Sequence, residues 1–223
     1  MRGRTPGRRS PRGRRPGPQA ESLTRNLEGF ARFLSIAAEW SGHHLDLAKL
    51  AAAAQLPRQS TVRFFEILED TLIVMRAEPF TRSIRRRLVR HPKFFFFDVG
   101  VRNGLLGDFA VSPERIGALF EHLVFAQLAA SAAARDVDVR VSSYRTEHGA
   151  EVDLVVEQPG QLWAIELKAS RAVGRGDLRG LRSFADFVGR AHRSAVLYLG
   201  EQRRTLDGID VLPWQDGPAE MGL

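Results

Sequence analysis

The chain has 223 residues, of which 43% are hydrophobic and 26% are charged, the proportions of an ordinary soluble globular protein. It contains no cysteine, which excludes disulfide bonds and thiolate metal sites. No apolar run approaches the roughly 18 residues that span a bilayer, and residues 1–18 lack the apolar segment of a signal peptide. We therefore expect a cytoplasmic protein with no membrane partner.

The excess of positive charge lies near the N-terminus. Residues 1–18 contain seven arginines and no acidic residue, and the remaining 26 basic residues equal the 26 acidic ones in number. Because this segment is rich in Arg, Gly and Pro and has no apolar periodicity, we predict that residues 1–22 form a disordered tail. Such a tail either holds phosphates through charge alone or is a remnant leader.

The module predicted for residues 23–98 begins with three helices. Apolar residues at helical spacing predict a first helix that ends near Trp40: Leu27, Phe30, Phe33, Leu34 and Ala37. Asp46 is a suitable N-cap for a second helix, Leu47–Ala54, and Ser60 for a third, from Thr61 to about Asp70. In the third helix the expected inward residues are Val62, Phe65 and Leu68, and the expected outward residues are Thr61, Arg63 and Glu66.

Two β-rich runs, Leu72–Ala77 and Phe94–Phe97, follow these helices and enclose a basic stretch. Residues 79–93 carry six cations and no acid. Helices followed by a hairpin with a cationic connection are the layout of a winged helix-turn-helix, whose third helix enters the DNA major groove. The candidate DNA contacts are Arg58 before that helix, Thr61 and Arg63 on it, and Arg85, Arg86 and Arg87 in the wing. Alternatively, this module packs against a neighbouring domain or docks a protein.

A second module is predicted for residues 99–215. Ser112-Pro113 is a start signal for a helix that runs to about Ala134. Three strands follow, then a helix that Asp177 opens, then a buried strand and a further candidate strand. The predicted strands are Val137–Arg145, Ala150–Glu157, Leu162–Ala169, Ala195–Leu199 and Ile209–Leu212. The order α-β-β-β-α-β predicts an α/β sandwich with a mixed sheet.

The turn Gln158-Pro159-Gly160-Gln161 sets the register of the hairpin formed by the second and third of these strands. Centring the hairpin on Pro159-Gly160 places Asp153 opposite Glu166 and Glu151 opposite Lys168. The other face of the hairpin is wholly apolar and is expected to be core: Val152, Leu154, Val156, Trp163, Ile165 and Leu167.

Asp153 and Glu166 are the candidate metal ligands. Like charges opposed across strands repel each other, and a bound Mg²⁺ or Mn²⁺ would turn that repulsion into ligation. Lys168, two residues beyond Glu166, projects to the same side, where it could orient or deprotonate an attacking water or stabilise charge on a phosphate. The alternative is a solvent-facing hairpin in which Lys168 neutralises Glu151 and Asp153 stays hydrated.

The segment Gly149-Ala150-Glu151-Val152-Asp153, followed after twelve residues by Ile165-Glu166-Leu167-Lys168-Ala169-Ser170, resembles the D…E-x-K signature of the PD-(D/E)XK nuclease superfamily. With four further segments, residues 93–100, 117–121, 144–146 and 178–182, it is similar to the C-terminal half of bacterial and archaeal predicted AAA-type ATPases. In that family a winged helix links the motor to a nuclease-like domain of unknown function. The resemblance implies that Glu121 assists metal binding; the alternative is an exposed helix residue.

The chain departs from that family because it has no G-x-x-x-x-G-K-[ST] motif, so we expect no ATP binding. It would be a truncated paralogue, a gene fragment or the detached half of a split protein with a separate ATPase subunit. Two functions follow as hypotheses. One is a Mg²⁺-dependent phosphodiesterase acting on DNA, and the other is a catalytically silent DNA-binding or docking module.

Overall fold

The computed structural model describes residues 18–80 and 91–223, with side chains from residue 26 onward. Within these residues the protein is a mixed α/β structure with seven α-helices and one eight-stranded sheet. The helices are α1 Pro18–Trp40, α2 Leu47–Ala53, α3 Arg58–Asp70, α4 Val99–Leu106, α5 Ile116–Ala134, α6 Arg179–Val188 and α7 Gly217–Glu220. The strands are β1 Val74–Pro79, β2 Lys93–Phe96, β3 Arg140–Arg145, β4 Glu151–Gln158, β5 Gln161–Lys168, β6 Arg193–Tyr198, β7 Arg204–Leu206 and β8 Ile209–Pro213.

Three helices and a hairpin form the N-terminal part, as the sequence predicts, but two boundaries differ. Helix α1 begins at Pro18, so residues 18–22 of the predicted disordered tail are helical, and residues 1–17 lie outside the described residues. Leu27, predicted to face inward, is 67% exposed, because the core contacts of α1 begin further along, at Phe30. Helix α3 begins at Arg58 directly after Pro57, not at Thr61.

The hairpin of β1 and β2 is part of the large sheet. The two strands are antiparallel, and β1 also pairs in parallel with β3 through Glu78↔Ser142 and Pro79↔Ser143. The full strand order is β2-β1-β3-β4-β5-β6-β8-β7. The N-terminal helices pack on one end of this sheet, around Phe65, Phe94 and Phe96. The two modules therefore share a continuous hydrogen-bonded surface.

Helix α4 was not predicted from the sequence. The side chain of Asp98 accepts a hydrogen bond from the Val101 N–H at its start, and Gly107 ends it in the left-handed conformation (φ 63°). An N-cap aspartate and a C-terminal glycine are recognised helix signals, so these two residues could have revealed it. Helix α5 begins at Ile116, after a turn over Ser112-Pro113, about three residues later than predicted.

The order of elements from α5 onward confirms the α-β-β-β-α-β prediction, and Ile209–Pro213 is a strand as proposed. Strand β7, which was not predicted, pairs with β8 through the Asp207-Gly208 turn. Helix α5 covers one face of the sheet and α6 the other, and each face forms a hydrophobic core. Burial on both faces makes the solvent-facing alternative for the β4–β5 hairpin wrong, since Val155 and Ala164 are fully buried on the α6 side.

The register predicted for the β4–β5 hairpin is confirmed from the Leu154–Ile165 pair to the turn. Leu154 pairs with Ile165 and Val155 with Ala164, which are the partners that a turn centred on Pro159-Gly160 requires. The neighbouring β3–β4 ladder is irregular, because two residues of β4, Asp153 and Leu154, lie opposite the single residue Ser143. As a result Val152, predicted to join the face of Leu154, belongs to the opposite core. Such a bulge redirects a side chain locally, and here it falls at Asp153.

One helix among the described residues, α5, is long and apolar enough to cross a membrane by length and composition. A core helix passes the same test, and α5 buries Phe120, Val124 and Leu128 against the sheet. Its apolar face is therefore accounted for by the fold.

Candidate active site

Asp153 lies at the β4 bulge, and its carboxylate reaches the neighbouring strand. Its Oδ2 accepts a hydrogen bond of 2.8 Å from the backbone N–H of Leu167 in β5. Burial and the negative charge of Glu121 raise the pKa of Asp153, although Lys93 and the Leu167 hydrogen bond act in the opposite direction. A buried carboxyl with a raised pKa is typical of functional sites.

Glu166 lies on β5 beneath the start of α6. Gly180 lets the helix come this close, because a Cβ at that position would lie 1.7 Å from the Glu151 carbonyl oxygen and 3.4 Å from Glu166 Oε2. The Oε2 atom is buried and has no hydrogen-bond partner among the described residues. Burial, followed by the charge of Asp153, raises the pKa of Glu166.

These two acids fit a divalent cation. A buried carboxylate oxygen without a partner is costly, and two neighbouring acids on adjacent strands repel each other. A hard cation satisfies both, because Mg²⁺ and Mn²⁺ take carboxylate oxygens together with waters. Within residues 18–80 and 91–223, no group of three or more His, Asp or Glu side chains is arranged to hold a metal ion. A cation here would therefore depend on the pair, with water or substrate oxygens as further ligands.

Lys168 is not paired with Glu151. Its Nζ lies 2.5 Å from Oδ1 of Asp177, whose Oδ2 accepts a hydrogen bond from the Gly174 N–H. The Lys168 side chain is 40% exposed, so it stands at the mouth of the site. Asp177 was expected only to open a helix, and its contact with Lys168 was not predicted.

Glu121 of α5 is connected to the same site by Lys93, which the sequence analysis had placed in the basic stretch. Lys93 Nζ lies 2.8 Å from Glu121 Oε1 and 2.9 Å from Glu151 Oε1, and its side chain is 7% exposed. Glu121 is 17% exposed, so the alternative of a merely exposed helix residue is wrong. Arg145 is a second cation for Glu151, at 3.5 Å. Lys93 had been counted with the basic stretch, but its place directly before four phenylalanines signals burial.

The predicted DNA contacts divide into three groups. Arg58 and Arg63 are exposed on α3, as expected. Thr61 is fully buried, and its hydroxyl donates to the Pro57 carbonyl, so its predicted outward position is wrong. The earlier start of α3 allows this, because Thr61 lies one turn into the helix, above the carbonyl of Pro57. The wing arginines 85–87 lie outside the described residues.

The fold and the site together define a mixed α/β protein with two half-buried carboxylic acids and a lysine on the two central strands of its sheet. Residues 116–216 match the model of a family described as a domain of unknown function, DUF4143. Residues 19–112 match a second domain of unknown function, DUF8612. The acids and Lys168 lie in the first matched region, and Lys93 lies in the second.

Two curated relatives are an uncharacterized protein of Mycobacterium bovis and one of Mycobacterium tuberculosis. Each is 31% identical over 187 residues, which are 82% of this chain and 41% of the relative. The chain therefore spans about two fifths of the length of these relatives.

Proposed function

We propose that the protein is a Mg²⁺- or Mn²⁺-dependent phosphodiesterase of PD-(D/E)XK type that acts on DNA. The observation that carries the proposal is the buried, unpartnered Oε2 of Glu166 beside Asp153 on adjacent strands. Raised pKa values in a purely structural pair would only destabilise the fold. At a cation site the same pair supplies ligands that are ready to lose their protons to the metal.

In this proposal Asp153 and Glu166 would hold the cation, which would supply Lewis acidity and a more acidic water for attack on a phosphodiester. The Leu167 N–H keeps one oxygen of Asp153 fixed, so the carboxylate is oriented before any ligand arrives. Lys168 Nζ stands at the exposed side, where it would donate hydrogen bonds to a phosphate oxygen or hold the attacking water. Asp177 anchors the amino group within reach of that position.

DNA would be held by charge on the N-terminal module. Arg58 and Arg63 are exposed on α3, the helix that a winged helix-turn-helix places in the major groove, and residues 85–87 add three arginines. The proposal includes a relation to predicted AAA-type ATPases, and an ATPase domain or subunit is a proposed partner. The greater length of the mycobacterial relatives leaves room for such a domain.

A second candidate function is a catalytically silent DNA-binding or docking module. The observation in its favour is the ion pair of 2.5 Å between Lys168 and Asp177, which engages the amino group that catalysis would need. The two candidates agree on DNA binding and differ on turnover, so a cleavage assay separates them.

The experiment is a metal-dependent melting assay combined with plasmid nicking. The wild-type protein should melt at a higher temperature with Mg²⁺ or Mn²⁺ and should nick supercoiled DNA. Asp153→Asn should abolish both effects, whereas Lys168→Ala should keep the melting shift and lose nicking by about 100-fold or more, as expected for a positioned acid–base group. Matched controls are Asp186→Asn and Lys49→Ala, which change exposed residues away from the site. A wild-type protein with neither effect would leave only the silent module.

DNA binding is tested by fluorescence anisotropy with a labelled duplex at several salt concentrations. Replacing Arg58 and Arg63 together by Ala should weaken binding and make its dependence on salt less steep, since two phosphate contacts are lost. The control is Arg190→Ala. It replaces an exposed arginine of the C-terminal module that pairs with Glu157. Equal affinity of the Arg58/Arg63 variant and the wild type would remove α3 from the DNA interface.

A further inference from the structure

Lys93 is a buried cation inside the acidic cluster. Its ammonium lies within 2.9 Å of an oxygen of both Glu121 and Glu151, and its side chain is 7% exposed. Burying a lysine is unfavourable unless its charge is matched, and here two carboxylates from different elements match it. The lysine enters from β2, whereas the carboxylates belong to α5 and β4. The arrangement is that of a cation held by two acidic ligands.

The charges of the cluster leave room for one divalent ion. Its charged groups are four carboxylates and two cations: Glu121, Glu151, Asp153, Glu166, Lys93 and Arg145. His44 lies near Lys93 and Glu151, and because burial lowers its pKa it is counted as neutral. Lys168 is matched separately by Asp177 and does not enter the count. Fully ionised, these groups carry two net negative charges, which a single Mg²⁺ or Mn²⁺ would balance. A second divalent ion would leave the buried site with an excess of positive charge, which is costly away from water.

We propose that Lys93 is a fixed cation that takes the place of a second divalent ion between Glu121 and Glu151, so that the site accepts one metal ion. The proposal rests on the proposed function for the identity of the ion at Asp153 and Glu166. It also changes the part assigned to Glu121, which binds Lys93 instead of the metal. Lys93 is then a positioning residue that the N-terminal module contributes to a site of the C-terminal module.

The test counts Mn²⁺ ions bound per full-length chain by calorimetric titration and electron paramagnetic resonance. Lys93→Met keeps an apolar stem of similar length and removes the charge, so it should bind one Mn²⁺ more than the wild type. Adding Glu121→Gln to that variant should remove the extra ion. The control Lys93→Arg keeps the positive charge and should bind no extra ion. An unchanged count in Lys93→Met, with near-ultraviolet circular dichroism that shows a native fold, would overturn the proposal.

A second variant decides the matter if Lys93→Met does not fold. Glu121→Gln in the otherwise wild-type chain should still bind one Mn²⁺ and should weaken its affinity by less than about 10-fold, because the change removes one negative charge near the metal but no ligand. Loss of a metal ligand, or of a group that orients one, weakens binding by about 10- to 100-fold, and that result would overturn the proposal. A different result would contradict the proposed function alone. If the wild type binds no Mn²⁺ while Lys93→Met binds one, the role of Lys93 is supported, and Asp153 and Glu166 are not a metal site.

Discussion

His122 makes the stability of the fold depend on pH in a way that one substitution can isolate. The side chain is 1% exposed on α5, and its Nε2 lies 2.6 Å from the Phe96 carbonyl oxygen, to which it donates a hydrogen bond. Its Nδ1 is buried without a hydrogen-bond partner among the described residues. Protonation would therefore place an N–H in the core with no acceptor. Burial, helped by the positive charge of Arg102, lowers the pKa of His122 to about 4.

The sign and size of the effect follow from this pKa. In the unfolded chain the histidine titrates near its ordinary pKa of about 6.5, so between that value and about 4 the unfolded state binds a proton that the folded state does not. The contribution of His122 to stability is complete above pH 6.5 and is lost as the pH falls. Linkage over these two pKa values gives a loss of about 2 kcal/mol between about pH 7 and about pH 5.

The measurement compares urea unfolding of the wild type and of His122→Gln at these two pH values by tryptophan fluorescence. Glutamine does not titrate, and its amide nitrogen can donate to the same carbonyl. The variant should lose about 2 kcal/mol less than the wild type on acidification. The control His148→Gln removes an exposed histidine and should behave as the wild type does. Equal losses in the wild type and His122→Gln would show that the buried imidazole is not kept neutral by the fold.

Four further substitutions test packing and charge at and away from the site. Gly180→Ala should destabilise the protein by about 1–3 kcal/mol in urea unfolding, because its Cβ would clash with the Glu151 carbonyl, whereas Gly117→Ala in open space on α5 should stabilise it by about 0.5–1 kcal/mol. Phe65→Ala should cost about 3–5 kcal/mol by the same measurement, since the ring is buried in the N-terminal core. Asp153→Asn should raise the melting temperature of the metal-free protein, because it removes an acid whose ionisation is unfavourable beside Glu121 and Glu166.

Local signals in the sequence predicted the hairpin well. The Pro159-Gly160 turn fixes which residues oppose each other, and the observed pairs of Leu154 with Ile165 and Val155 with Ala164 follow from it. The turn cannot predict the bulge at Asp153, because that depends on pairing with β3, which comes before β4 in the chain. For the same reason, the turn could not predict that Val152 lies on the opposite face of the sheet from Leu154.

Residue type misled the prediction where a polar group is satisfied inside the fold. Thr61 was predicted to face outward, yet it is fully buried and its hydroxyl donates a hydrogen bond to the Pro57 carbonyl. Lys93 was read as part of a basic surface, but its two partners are 28 and 58 residues away along the chain. Contacts over such separations leave no periodicity in the sequence, so only the three-dimensional arrangement reveals them.

The position of Lys93 also bears on how the two modules work together. The parallel pairing of β1 with β3 fixes the hairpin to the sheet, and β2 then carries Lys93 to Glu121 and Glu151. A chain cut between the modules would lose the lysine and leave those acids facing each other without a counter-charge, which a metal ion or protons would have to replace. Any ligand that shifts the hairpin would change the charge at the candidate site by the same route. Under the proposed function, binding on the N-terminal module and the site at Asp153 and Glu166 would therefore be linked through Lys93 and its two ion pairs.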